Sequence, residues 1–127
     1  MPGLSNIKVG DFAITINDIA ETEGKLNYYY NADDLPANSE FVTFDVTVKN
    51  NGTSEQELGV LLTFALVGED GSNCQYCVSD NVDNIELAPG EASNVKVSYI
   101  APKNTPLHFR FTPDLIHGYY MDLPVSF

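Results

Sequence analysis

Apolar residues recur at every second position along most of this 127-residue chain, and no long stretch carries the three-and-four spacing of a helix. Phe41 to Lys49 is the clearest case. Val42, Phe44, Val46 and Val48 fall on one side, and Thr43, Asp45, Thr47 and Lys49 on the other. A strand with one wet face lines those four apolar groups up, whereas a helix scatters them around its circumference. The same alternation places Phe12, Ile14 and Ile16 opposite Ala13, Thr15 and Asn17, and Val95, Val97 and Tyr99 opposite Asn94, Lys96 and Ser98. Leu107, Phe109 and Phe111 alternate with His108 and Arg110, and Met121, Leu123, Val125 and Phe127 with Asp122, Pro124 and Ser126. Leu58 to Val67 is apolar on both faces in places, the pattern of a central strand covered from both sides, and Cys74 to Val78 reads as a further strand.

Turn chemistry separates most of these segments. Asn51-Gly52 predicts a bend that uses positive φ, Glu69-Asp70-Gly71-Ser72 a second, and Leu87-Ala88-Pro89-Gly90-Glu91 a corner with Pro presetting φ and Gly taking the strained position. Strands joined by hairpins and arches predict an all-β fold: an immunoglobulin-like antiparallel β-sandwich of about seven to eight strands. A closed barrel of similar strand number has the same periodicity and stays open as the alternative. Residues 1–127 are expected to form one sandwich domain, with 1–6 as a flexible N-terminal segment and the polar stretch 21–40 as a long connection carrying at most one short edge strand. The chain has no Trp, and its two cysteines are three positions apart, so the cross-sheet disulfide stacked on Trp of antibody domains cannot form.

Composition narrows the function classes. Six Lys and Arg against 18 Asp and Glu give a net charge of −12, which repels phosphate backbones and removes nucleic acid as a partner. With 43% hydrophobic residues the chain can still build a core, so the acidity describes a solvated surface. No run approaches the ~20 apolar residues of a membrane span.

A strand ending in Val46-Thr47-Val48-Lys49-Asn50-Asn51-Gly52, a later Asp70-Gly71 turn, and Leu87-Ala88-Pro89-Gly90-Glu91 leading into a strand that closes at Ala101-Pro102 resemble a family of secreted bacterial and archaeal domains of unknown function. Gly10-Asp11-Phe12 and the acidic connection also match, so the likeness spans most of the chain. Members of that family are often lipoprotein ectodomains and share an immunoglobulin-like sandwich with the mycobacterial immunoprotective antigen. The resemblance implies a fold and an extracellular or cell-surface compartment, with any signal or lipid-anchor segment lying outside this chain. It supplies no catalytic residues.

Candidate chemistry is sparse. Cys74 and Cys77 form a Cys-x-x-Cys without the helix N-terminus that lowers a thiol pKa in redox enzymes, and no second pair of ligands completes a zinc site. Positions i and i+3 of a regular strand point to opposite faces about 10 Å apart, so a small structural disulfide, the leading expectation, needs a turn or bulge at Gln75-Tyr76. Two reduced thiols, or a thiol-redox or metal role, are the other readings of the pair. Asp80, Asp83 and Asn84 offer hard oxygens for Ca²⁺, but only about half the number that ion requires, and a solvated Asx-rich turn explains them as well. Tyr28, Tyr29 and Tyr30, with Tyr119 and Tyr120, could stack on a sugar or anchor a protein, although consecutive tyrosines in a strand send every second ring to the core. His108 and His117 lack a sequence neighbour that would make a nucleophile and base, and both are expected to be exposed.

These observations lead to a non-enzymatic extracellular or cell-surface module with a protein or glycan partner, no cofactor and no catalytic residues. A carbohydrate- or calcium-dependent binding module of a larger secreted protein is the first alternative, and a thiol-redox or metal protein built on Cys74 and Cys77 the second.

Overall fold

The computed structural model of the chain describes residues 4–22, 25–27, 30, 31, 33, 35–77, 84–114 and 119–127. Its strands are β1 (Leu4–Val9), β2 (Phe12–Thr22), β3 (Lys25–Asn27), β4 (Tyr30–Asn31), β5 (Ser39–Asn50), β6 (Gln56–Gly59), β7 (Phe64–Gly68), β8 (Gln75–Cys77), β9 (Asn84–Leu87), β10 (Ala92–Pro102), β11 (Leu107–Asp114) and β12 (Tyr119–Val125), with one helical turn, α1 (Val60–Thr63). Every strand pairing is antiparallel. The main layers are a five-stranded sheet in the order β1-β2-β5-β10-β8 and a three-stranded sheet in the order β12-β11-β7, with the small pairs β3-β4 and β6-β9 beside them.

Aromatic contacts join the two layers. Phe44 of β5 stacks on Phe109 of β11 with centroids 4.0 Å apart and planes 4° from parallel, Phe12 meets Phe111 edge-on at 6.5 Å, and Tyr99 meets Phe109 at 6.4 Å. The sheets therefore face each other as a sandwich, and their separation into distinct layers rules out the closed barrel. Val42, Phe44, Val46 and Val48 are fully buried, as their alternation predicts. Their outward neighbours form a polar face: Thr43 Oγ1 lies 2.8 Å from Ser98 Oγ, and Asn94 Nδ2 donates to Asp45 Oδ1 at 2.7 Å.

Local chemistry differs from expectation at three places. Leu4–Val9 form β1, with Leu4 paired to Ile16 of β2, so residues 4–6 are strand where the sequence predicts a flexible segment over 1–6. The two-residue turn between β1 and β2 puts Gly10 at φ 61°, the position a type II′ hairpin reserves for glycine. Leu58 to Val67 is not one strand: α1 interrupts it, burying Val60 and Thr63 at the i, i+3 spacing of a helical face before Phe64 resumes extended backbone. A short run apolar on both faces suits either geometry, and packing decides between them. The Asn51-Gly52 step bends without positive φ. Gly52 is there for space, since a Cβ would lie 3.1 Å from both Asn50 Oδ1 and the Asp11 Cβ. The Pro89-Gly90 corner does follow its sequence, with Gly90 at φ 82° and Glu91 N–H donating to Ala88 C=O at 2.9 Å.

The 21–40 connection begins only after Thr22, and it contains the β3-β4 pair. Among the described residues, seven strands have five or more residues, and the other five are shorter pieces that alternation over so few positions does not define.

Candidate functional site

The outer face of the three-stranded sheet carries the arrangement best suited to recognition. Inward residues of β11 (Leu107, Phe109, Phe111) enter the core, which sends His108 and Arg110 outward, and the register sets Arg110 opposite Asp122 and His108 opposite Pro124. Arg110 Nη2 lies 3.4 Å from Asp122 Oδ2. His108 stands between two carboxylates, Nδ1 at 3.8 Å from Asp122 Oδ2 and Nε2 at 3.7 Å from Glu69 Oε1, with its side chain 29% exposed. The sequence offers no neighbour of His108 that would make a nucleophile and base and predicts it exposed, whereas the side chain is half-buried between these carboxylates. Glu69 and Asp122 reach it from the turn after β7 and from β12, which are 39 and 14 positions away in the chain, so only the sheet pairing unites them.

Tyr120 completes this face. It is 59% exposed, the one large hydrophobic side chain so exposed among the described residues, and the Arg110 guanidinium carbon lies 5.6 Å from its ring centroid. That is a cation–π distance, and it holds the ring against the sheet with one face outward. Of the predicted contact tyrosines, Tyr120 is therefore brought to a usable position. Tyr30 and Tyr119 lie in β4 and β12 by their backbones, with side chains outside the described residues, as are Tyr28 and Tyr29 entirely.

The other predicted sites fare differently. Asp80 and Asp83 fall outside the described residues, together with His117, and Asn84 is an exposed strand residue paired with Gly59. Among the described residues no group of three or more His, Cys, Asp or Glu side chains is placed to hold a metal ion.

Cys74 and Cys77 are free thiols, and the expected disulfide is not formed. Gln75, Tyr76 and Cys77 pair regularly with Ile100, Tyr99 and Ser98, so the bulge a bridge requires is missing. Tyr76 and Cys74 pack against the core, whereas Cys77 shares the side of Ser98, the opposite face of the sheet. Burial raises the Cys74 thiol above its ordinary value and pushes Cys77 up to about 11, the reverse of what a reactive thiolate needs.

These shifts predict alkaline instability. The Cys77 thiol and the Tyr99 phenol, also raised by burial, stay protonated when folded, while the unfolded chain releases those protons near 9.0 and 10.0. The folded state then binds more protons than the unfolded one, so stability is intact below pH 9 and falls as pH climbs towards 11. Cys77 alone contributes a loss of roughly 2 kcal/mol. Urea midpoints measured between pH 8 and 11 should decline, with a smaller decline in Cys77→Ala; a flat profile contradicts the assignment.

A concavity of about 580 Å³ lies at the end of the sandwich, where the turn after β7, the start of β8, the end of β10 and the residues before β11 converge. Among its described lining residues are Cys74, Ile100, Pro102 and Leu107. No helix among the described residues is long and apolar enough to cross a membrane.

Comparison with known proteins agrees with this architecture. A crystal structure described as "a putative lipoprotein (ycdA)" from Bacillus subtilis superposes with a TM-score of 0.76 at 13% identity over 97% of this chain, which spans only 39% of that protein's length. The yjhA protein of Bacillus subtilis gives a TM-score of 0.71 at 17% identity, covering 94% of both chains. An uncharacterized β-sandwich protein from Clostridium difficile gives 0.53 at 20% identity, covering 99% of this chain and 92% of that one. No curated protein matches the sequence. Identities this low establish the shared fold alone, but residues 5–120 match a family model described as a domain of unknown function, DUF4352, and the chain belongs to that family.

Proposed function

We propose that this domain is a non-enzymatic binding or structural module displayed outside the membrane, which meets a protein or glycan partner through the outer face of its three-stranded sheet. The carrying observation is Tyr120, 59% exposed and braced by Arg110. Tyrosine and arginine are enriched among the few residues that carry most of an interface's energy, each offering a broad apolar surface together with polar atoms. A sandwich supplies a rigid platform for such a pair, so little ordering opposes binding. The extracellular placement is supported by the resemblance to secreted lipoprotein ectodomains and to the mycobacterial immunoprotective antigen, and by the description of one structural neighbour as a lipoprotein. The raised thiol pKa values support a role without thiol chemistry.

The test presents the domain and its Tyr120→Ala variant to a glycan array and to immobilised cell-envelope proteins. Tyr120 packs on the surface, so the variant should unfold within about 0.5 kcal/mol of the parent. It should lose binding by about tenfold or more. A variant that binds as the parent does, or a parent that retains nothing saturably, overturns the assignment.

A further inference from the structure

The groove at the end of the sandwich, on a different part of the molecule from the Tyr120 face, has a chemistry of its own. Its volume of about 580 Å³ lies within the range of small-molecule sites. Ile100, Pro102, Pro106 and Leu107 give it an apolar floor, and Glu69 and Asp70 stand in its wall. No Lys or Arg occurs among its described lining residues. Asp70 is fixed in place: its Oδ1 accepts hydrogen bonds from Ser72 N–H at 3.0 Å and from Ser72 Oγ–H at 2.6 Å, leaving its second oxygen available. Those bonds also hold its carboxyl below the usual range, so it stays ionised.

We propose that this groove binds a small organic cation, an ammonium group carried on an apolar body. The apolar floor takes the body, and the carboxylates of Glu69 and Asp70 take the charge. Charge complementarity selects this occupant. An anion meets two carboxylates with no described cation to offset them, and a neutral apolar molecule leaves them unused. Glu69 also faces His108 Nε2 at 3.7 Å, so its carboxylate sits between the groove and the outer sheet face.

The experiment uses phenethylammonium as the probe, with 2-phenylethanol and phenylacetate as neutral and anionic counterparts of similar shape, titrated into the whole domain by calorimetry. Saturable binding of the ammonium alone is expected. Glu69→Gln and Asp70→Asn preserve shape, and each should weaken binding about tenfold, the worth of one charge-assisted contact. Bound probe should slow alkylation of half-buried Cys74, which locates it in the groove, and Thr105→Trp, which fills the groove, should remove both signals. Tyr120→Ala should leave both unchanged, so this site stands or falls separately from the sheet face. Equal binding of the alcohol, no saturable binding of the ammonium, or unaltered affinity in both carboxylate variants overturns the proposal.

Discussion

Phe44→Ala is expected to lower the unfolding free energy by about 4 kcal/mol, the upper part of the range for emptying an aromatic site in a core. Phe44 is fully buried, and its ring is the hinge point of the interior: it stacks on Phe109 at 4.0 Å and meets Tyr99 and Phe127 edge-on at 6.1 and 6.3 Å. Removing it deletes one wall of the stack that joins the two sheets, and the three neighbouring rings cannot close on the gap without moving strands. Aromatic pairing adds roughly 0.5–1.5 kcal/mol beyond area. A domain of this size has only about 5–15 kcal/mol in hand, so the loss is a large fraction of the total and the variant should unfold at a clearly lower urea concentration than the parent. Lys49→Ala, in the same strand but exposed, should change stability by no more than about 0.5 kcal/mol. Equilibrium urea unfolding of both variants checks the register directly. A Phe44→Ala loss below about 1.5 kcal/mol would contradict the packing described.

Asn50→Ala should be nearly as damaging, for a different reason. Asn50 closes β5 and is completely buried. Its side-chain Nδ2 donates to Ser54 C=O at 2.8 Å and Leu87 C=O at 3.0 Å, and its Oδ1 accepts from Gly52 N–H at 2.9 Å. Its backbone N–H donates to Glu91 C=O at 2.9 Å, and its C=O accepts from Gly90 N–H at 2.7 Å. One residue thus ties the end of β5, the bend that follows it and the Pro89-Gly90 corner together. Alanine leaves the Leu87 carbonyl buried without its donor and frees the bend, at a cost of about 3 kcal/mol. Asn50→Asp sets a second oxygen against two carbonyls and should cost at least as much at neutral pH. It should regain part of the loss on acidification, because a protonated carboxyl can donate to one of them. Thermal and urea unfolding of the two variants, at pH 7 and pH 4, measures both effects, and a loss under about 1 kcal/mol in Asn50→Ala would show that the network is dispensable.

Asn50 also shows where reading a sequence stops. Asn50-Asn51-Gly52 is recognisable as a bend, but a buried asparagine bonded to residues 37 and more positions away is written nowhere in the local pattern. The same holds on the outer sheet face. Tyr120 could be singled out from composition, yet its partner Arg110 and the carboxylates flanking His108 come together only through strand pairing. The cysteine pair is the converse. Its spacing suggested a bridge, and the strand it occupies turned the thiols to opposite faces, the geometry that a regular i, i+3 separation already implies.

What the sequence determined by itself was the all-β class and most of the long strands with their inward faces, though not β1 or the start of β7, because a period of two is a local property that each strand expresses without knowing its neighbours. The tertiary structure alone decided the division into a five-stranded and a three-stranded sheet, the helical turn inside an apolar run, the buried Asn50 network, and which aromatic ring reaches solvent. Each of these depends on contacts between segments far apart in the chain, and the free energy that selects among the local alternatives is released only when those segments meet.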